Sequence, residues 1–346
     1  FSCFLATGLL QAAEDNPQPP ERVPQVNILP DPVGGEIPES EQDELRKALT
    51  LSARGGNEFS GTLVGFDGEK LSLRTIQAGG EIVLSFPTED ISEIYFPGGG
   101  ILASTRDLVE AGNLPEALPY LEALLVSRYP VFPLLGEEER SFFANVPMAA
   151  LAIDRPAAAI AYVEALDPFI NEDEGREKLQ SAELLGRYML RLEEKAEVQA
   201  AEWIDGQERF PESALGFFIR AAIQFENAEY EESLRTALRP IVFSGQIPVP
   251  YLAHCYSLAV ASTHIMGNDR HRDQLLTEMD ERNLDWQSLR ALGSAREELE
   301  DLVIKDAEGN PVSLFEATTG DERLLENLEE SVGSGNFVDP SRLIPL

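Results

Sequence analysis

The chain has 346 residues, 43% of them hydrophobic, enough to bury a sizeable core and to form about two or three structural units. Its 61 acidic residues against 27 basic ones give a formal charge of −34, a field that repels phosphate backbones and anionic lipid. Nucleic-acid and membrane-surface binding are therefore set aside, and the acidity reads first as a solvated surface suited to a salty medium.

At the N-terminus, residues 1–13 read FSCFLATGLLQAA, an apolar run ending in small residues before Glu14 and Asp15. That pattern is the hydrophobic core and cleavage end of a secretory signal peptide, and it is shorter than the ~20 apolar residues that span a bilayer. The expectation is an exported protein, periplasmic or secreted, with no integral membrane span in the mature chain. Removal of the signal leaves Cys255 as the single cysteine, so no intramolecular disulfide is expected. Cys255 shares one helical face with Leu252, Tyr256 and Ala259 and reads as a small core residue. Residues 14–42 carry Pro17, Pro19, Pro20, Pro24, Pro30, Pro32 and Pro38, which fix φ and remove amide donors, so this stretch is expected to be an extended linker.

Residues 45–97 change in kind. Apolar alternation runs through Leu49 to Ala53, Phe59 to Leu63, Leu71 to Leu73, Ile82 to Leu84 and Ile91 to Phe96. Turn residues separate these runs: Gly55-Gly56-Asn57, Asp67-Gly68, Gly79-Gly80 and Pro87 to Asp90. Five short strands with tight turns predict a small five-stranded β-barrel. The stretch Gly61-Thr62-Leu63-Val64-Gly65-Phe66-Asp67-Gly68-Glu69-Lys70-Leu71-Ser72-Leu73 resembles the first motif of the Sm-like, SH3-type barrels. That resemblance implies the fold. It does not bring the family's RNA-binding role, because Leu71 stands where RNA-binding members carry Asn and Ile91 to Ile94 holds no Arg-Gly pair.

After Pro97-Gly98-Gly99-Gly100 the apolar period changes from two to about 3.6 residues. Helix pairs are expected at 101–111 with 115–128, 141–153 with 156–166, 178–192 with 194–208, 214–226 with 230–242, and 250–266 with 269–282. Tyr120-Leu121-Glu122-Ala123-Leu124 recurs as Tyr162-Val163-Glu164-Ala165-Leu166. Small residues recur at Ala117, Ala158, Ala196 and Ser233, spaced by 41, 38 and 37 residues, as in stacked helix pairs. Gly112 with Ala117, and Asn227-Ala228-Glu229-Tyr230-Glu231-Glu232-Ser233, resemble the turn and second-helix start of the tetratricopeptide repeat family over residues 100–283, although periods near 40 exceed that family's 34. A capping helix over 284–305 and an irregular tail over 306–346 complete the expected organisation: an α+β multidomain chain, mainly α, with a TPR-like solenoid behind a small barrel.

The tetratricopeptide resemblance implies a protein or peptide partner in a concave groove lined by the first helix of each pair. Arg187, Tyr188, Arg220 and Gln224 are the candidate ligand-binding residues by periodicity. Chemical motifs are scarce: there is no phosphate loop, no His-Glu-x-x-His and no Cys-x-x-Cys, and His254 and His264 turn away from each other on one helix. No catalytic residue, metal or cofactor is assigned. The expected function is a non-enzymatic exported interaction scaffold with the barrel as an accessory interaction domain. The alternative is a carbohydrate- or peptide-processing enzyme using carboxylates such as Glu183 or Asp205 in a helical cup.

Overall fold

A computed structural model describes residues 29–77, 79–207, 213–245, 249–287, 289–293, 299, 303–305 and 311–313. The protein is α+β and mainly helical; among the described residues one small five-stranded antiparallel sheet stands ahead of eleven helices. The expected signal segment and the first half of the expected linker lie outside the described residues, as does most of the expected tail.

The second half of that linker is not a free tether. Residues 29–37 pack on the helical core through Leu29 and Val33, Ile37 is buried beyond them, and helix α1 (Glu39–Leu45) follows. Proline left the stretch extended, but a buried carboxylate described below holds it down.

The sheet is built from β1 (Leu49–Ala53), β2 (Glu58–Phe66), β3 (Lys70–Gln77), β4 (Gly80–Pro87) and β5 (Ile91–Tyr95), in the order β4-β3-β2-β1-β5. All five alternating runs of the sequence are strands. Asp67 and Gly68 turn the β2–β3 hairpin: Gly68 takes φ +98°, and Asp67 Oδ1 accepts the amides of Glu69 and Lys70 at 2.9 and 2.7 Å. Those amides hold the Asp67 carboxyl below its usual range. β2 pairs with β1 through residues 58–61 and with β3 from residue 62 onward. At the hand-over, a Cβ on Gly61 would sit 2.6 Å from the Arg74 carbonyl oxygen, so only glycine permits the strand to bend there.

Leu49, Leu51, Leu71 and Leu73 form the sheet's buried face. Val131, fully buried, completes it from the 3-10 segment Tyr129–Leu134 in the helical region, so the sheet borrows part of its core. Beside it the Arg128 guanidinium lies 5.2 Å over the Phe96 ring, with its Nε 2.7 Å from Glu139 Oε1.

The helices are α2 (Gly99–Glu110), α3 (Leu114–Arg128), α4 (Glu137–Phe143), α5 (Asn145–Ala152), α6 (Pro156–Leu166), α7 (Asp173–Met189), α8 (Glu193–Gly206), α9 (Ala214–Glu226), α10 (Tyr230–Ser244), α11 (Leu252–Ile265) and α12 (Asp269–Glu281). They form five consecutive pairs, α2/α3, α5/α6, α7/α8, α9/α10 and α11/α12. The first helix expected over 141–153 is broken at Ala144 into α4 and α5. The five pairs share one turn. Gly112, Asp154, Arg191, Ala228 and Gly267 all take positive φ, between 57° and 77°. One residue later, the amides of Asn113, Arg155, Leu192, Glu229 and Asn268 close six-residue bonds of 2.8–3.0 Å onto the preceding helix. This is the Schellman ending, which satisfies orphan helix carbonyls and sends the chain back antiparallel.

The turn corrects the repeat register by one residue. Five positions after it stand Ala117, Ala159, Ala196 and Ser233, each at 0% exposure, whereas Ala158 is only half-buried. The spacings are thus 42, 37 and 37, and the 42 agrees with the recurrence of Tyr120 as Tyr162. Small residues are needed at this position because the second helix leans on its predecessor there; the Ser233 hydroxyl donates to the Ala221 carbonyl at 2.8 Å. A similar approach occurs at Gly216, where a Cβ would meet the Ala200 carbonyl oxygen at 2.7 Å.

The described residues 284–287, 289–293 and 303–305 do not form the expected capping helix, while Leu299 is helical. Among the described residues that region holds a 3-10 turn at Arg290–Leu292 and strand β6 (Val303–Lys305), which pairs with β7 (Pro311–Ser313). Positive φ at Asn283 ends α12 with the same bond pattern as the five turns. No helix among the described residues is long and apolar enough to cross a membrane.

Candidate functional site

The candidate site is the face made by the first helices of the later pairs, α7, α9 and α11. The amphipathic patterns of α7 and α9 turn their apolar sides into the continuous core, whereas α11 is buried on nearly all sides. The four residues selected by periodicity fall on three different surroundings.

Arg187 turns toward its own pair. Its guanidinium ion-pairs with Glu183 one turn earlier and donates to Gln199 Oε1 of α8 at 3.1 Å, while Gln199 Nε2 donates to Glu183 Oε2 at 3.0 Å. This closed triad ties α7 to α8. It also engages both oxygens of Glu183, one of the two carboxylates considered for an enzymatic site; the other, Asp205, is exposed on α8.

Tyr188 is buried at 2% exposure, with its ring edge-on to Phe218 of α9 at 6.2 Å. Burial raises its hydroxyl above the usual tyrosine range, and the nearby Glu226 carboxylate adds to that. Glu226 is itself raised, by desolvation, against the pull of Arg290 and Arg191. Arg220 and Gln224 lie one turn apart on α9, half-buried, on the side away from Phe218. Arg220 Nε and Gln224 Oε1 are buried atoms without hydrogen-bond partners among the described residues. Thus Arg220 and Gln224 share a surface, Tyr188 belongs to a second, and Arg187 to neither. A period of 3.6 places residues on a stripe and does not say which neighbour the stripe meets.

Three features carry no motif that sequence reading detects. First, residues 284–287 and 289–293 lie across the face. The Gln287 amide donates to Ser257 Oγ of α11 at 3.0 Å, the 3-10 turn sits against α9, and Arg290 donates to the C-terminal carbonyls of α7, Met189 at 2.8 Å and Tyr188 at 3.2 Å. The Arg290 guanidinium also lies 5.5 Å over the Tyr188 ring. Second, His254 is fully buried between the rings of Phe218 and Tyr251, at 4.9 and 5.4 Å, with neither ring nitrogen hydrogen-bonded among the described residues. Desolvation pushes its pKa down to about 3, so the imidazole is neutral. Third, Glu122 of α3 is 1% exposed. Its Oε1 accepts the Val33 amide at 2.9 Å and the Tyr162 hydroxyl at 2.7 Å, and its Oε2 accepts the Gly34 amide at 2.8 Å. A Cβ on Gly34 would come within 2.8 Å of Pro119 N, which fixes glycine at the crossing.

A separate groove of about 780 Å³ opens between α1, the sheet and α3, with Ile37, Leu45, Leu63, Phe96 and Val126 among its walls. Among the described residues no group of His, Cys, Asp and Glu side chains is placed to hold a metal ion. Cys255 is buried at 0% exposure and desolvation raises its thiol, which suits packing and opposes nucleophilic use. Comparison with family models, with curated proteins and with solved structures returned no match.

Proposed function

We propose that this protein is an exported, non-enzymatic interaction scaffold. The observation that carries the reading is the shared turn: five helix pairs, each joined inside the pair by one left-handed residue and the same backbone bond, read as copies of one unit stacked on one core. Stacked pairs present an extended face built from their first helices, and such faces serve to hold another polypeptide. The proposal extends to TPR-like membership of the array. It extends also to an Sm-like character for the sheet, whose meander β1 to β4 with β5 returning beside β1 agrees with the motif around Asp67. The sheet then acts as an accessory interaction domain, and the partner is a protein or peptide outside the cytoplasm.

Site-specific photo-crosslinking in the cells that make the protein tests this. A photoreactive residue at Gln224, on the face, is expected to capture one discrete protein partner, while the same group at Glu232, on the second helix of that pair, captures none. Equal, diffuse labelling from both positions would overturn the reading.

A further inference from the structure

Residues 284–287 and 289–293 run over the first helices, touching α11, α9 and α7, as a bound ligand would. It is attached as a ligand would be. Leu289 has an extended backbone, with ψ 140°, and the turn that follows ends at Gly293 with φ 51°. Leu289 and Leu292 are each 2% exposed, and Ala291 between them is 5% exposed. Arg290 does not join the apolar anchors. It reaches the Met189 and Tyr188 carbonyls at the C-terminus of α7, where the helix dipole is negative, the Tyr188 carbonyl also accepting the Arg191 amide, and it covers the Tyr188 ring. In a chain of charge −34 this end of the face is made to receive a cation.

Resting on the scaffold reading, we infer that residues 284–293 are an intramolecular ligand of the first-helix face, and that the external partner is an extended segment with the same chemistry: leucine, arginine, a small residue, leucine. The groups that receive Arg290 belong to α7, and the pocket for Leu289 and Leu292 belongs to α9 and its neighbours, so both are equally available to a segment presented in trans. The internal copy lowers apparent affinity by the fraction of time it occupies the face, which makes binding depend on its release.

The test uses the full chain and a labelled peptide of sequence LDWQSLRALG. Fluorescence anisotropy compares the wild type with the double variant Leu289→Ser, Leu292→Ser. Binding to the variant is expected to be about tenfold or more tighter than to the wild type, and a peptide carrying Arg290→Glu should lose it. If the peptide binds neither chain while the variant keeps its helical circular dichroism and cooperative melt, the inference is overturned. Should the variant not fold, hydrogen exchange on the wild type decides. Opening of residues 287–293 about a hundredfold more often than α9 supports a releasable ligand, and opening only with global unfolding overturns it. A peptide that binds as expected while crosslinking finds no cellular partner would fault the scaffold reading and leave the intramolecular ligand standing.

Discussion

At the scale of single residues, two buried ionisable groups have opposite roles. His254 is kept neutral by its aromatic surroundings, whereas the unfolded chain takes up a proton with a pKa near 6.5. A depressed pKa contributes stability that is complete above pH 6.5 and is lost as pH falls toward about 3. The expected loss is about 1.4 kcal/mol per pH unit from this group. Urea denaturation of wild type and His254→Leu at pH 7 and pH 5 checks it: the wild type should lose about 2 kcal/mol more than the variant on acidification. Glu122, by contrast, is satisfied by two amides and a hydroxyl, so Glu122→Gln sets an NH2 against a donor and leaves a buried amide unpaired. We expect a loss of about 3 kcal/mol in denaturant melts and faster proteolysis within residues 29–37. Neither role is visible in sequence. Glu122 and Glu164 hold the same place in the recurring unit, yet Glu122 is buried and Glu164 is exposed.

At the scale of elements, the αL turn sets the register of every pair. Gly112 and Gly267 take that conformation freely, but Asp154, Arg191 and Ala228 take it at a cost of about 1–2 kcal/mol each. Ala228→Gly should therefore stabilise the protein by about 0.5–1 kcal/mol, read as a rise in Tm, despite the greater freedom glycine gives the unfolded chain. The helices and strands were legible because their apolar periods are long and punctuated: Pro115 and Pro156 open second helices, and Asp67-Gly68 turns a hairpin. Ala158 was mistaken for Ala159 because a run of three alanines hides the register, which only the preceding Asp154 turn fixes. The capping helix failed for a different reason. The residues after Asn283 have helix-forming composition, yet their apolar side chains find their pocket across α9, and tertiary burial outweighs propensity.

At the scale of the whole molecule, sheet and helices are not independent. Val131 fills the sheet's core from the loop after α3, and Arg128 beside it bridges Phe96, just past β5, to Glu139 of α4. Val131→Asp would bury an unpaired carboxylate among leucines. The expected result is early loss of amide protection across β1 to β5 while α9 and α11 stay protected, a separation not expected of the wild type. Sequence showed where the two units lie and could not show this dependence, since the loop Tyr129–Leu134 reads only as an aromatic, proline-rich helix ending.

The Glu122 contact has a mechanical consequence. Residues 33 and 34 are bonded to α3, and through the same carboxylate to Tyr162 of α6, before the chain reaches α1 and β1. Tension applied at Leu29 is therefore delivered sideways into two packed helices and bypasses the sheet, so the strands are shielded from being peeled apart. With Glu122→Gln the load path would run through α1 to β1, and the force needed to open the sheet from that end should fall.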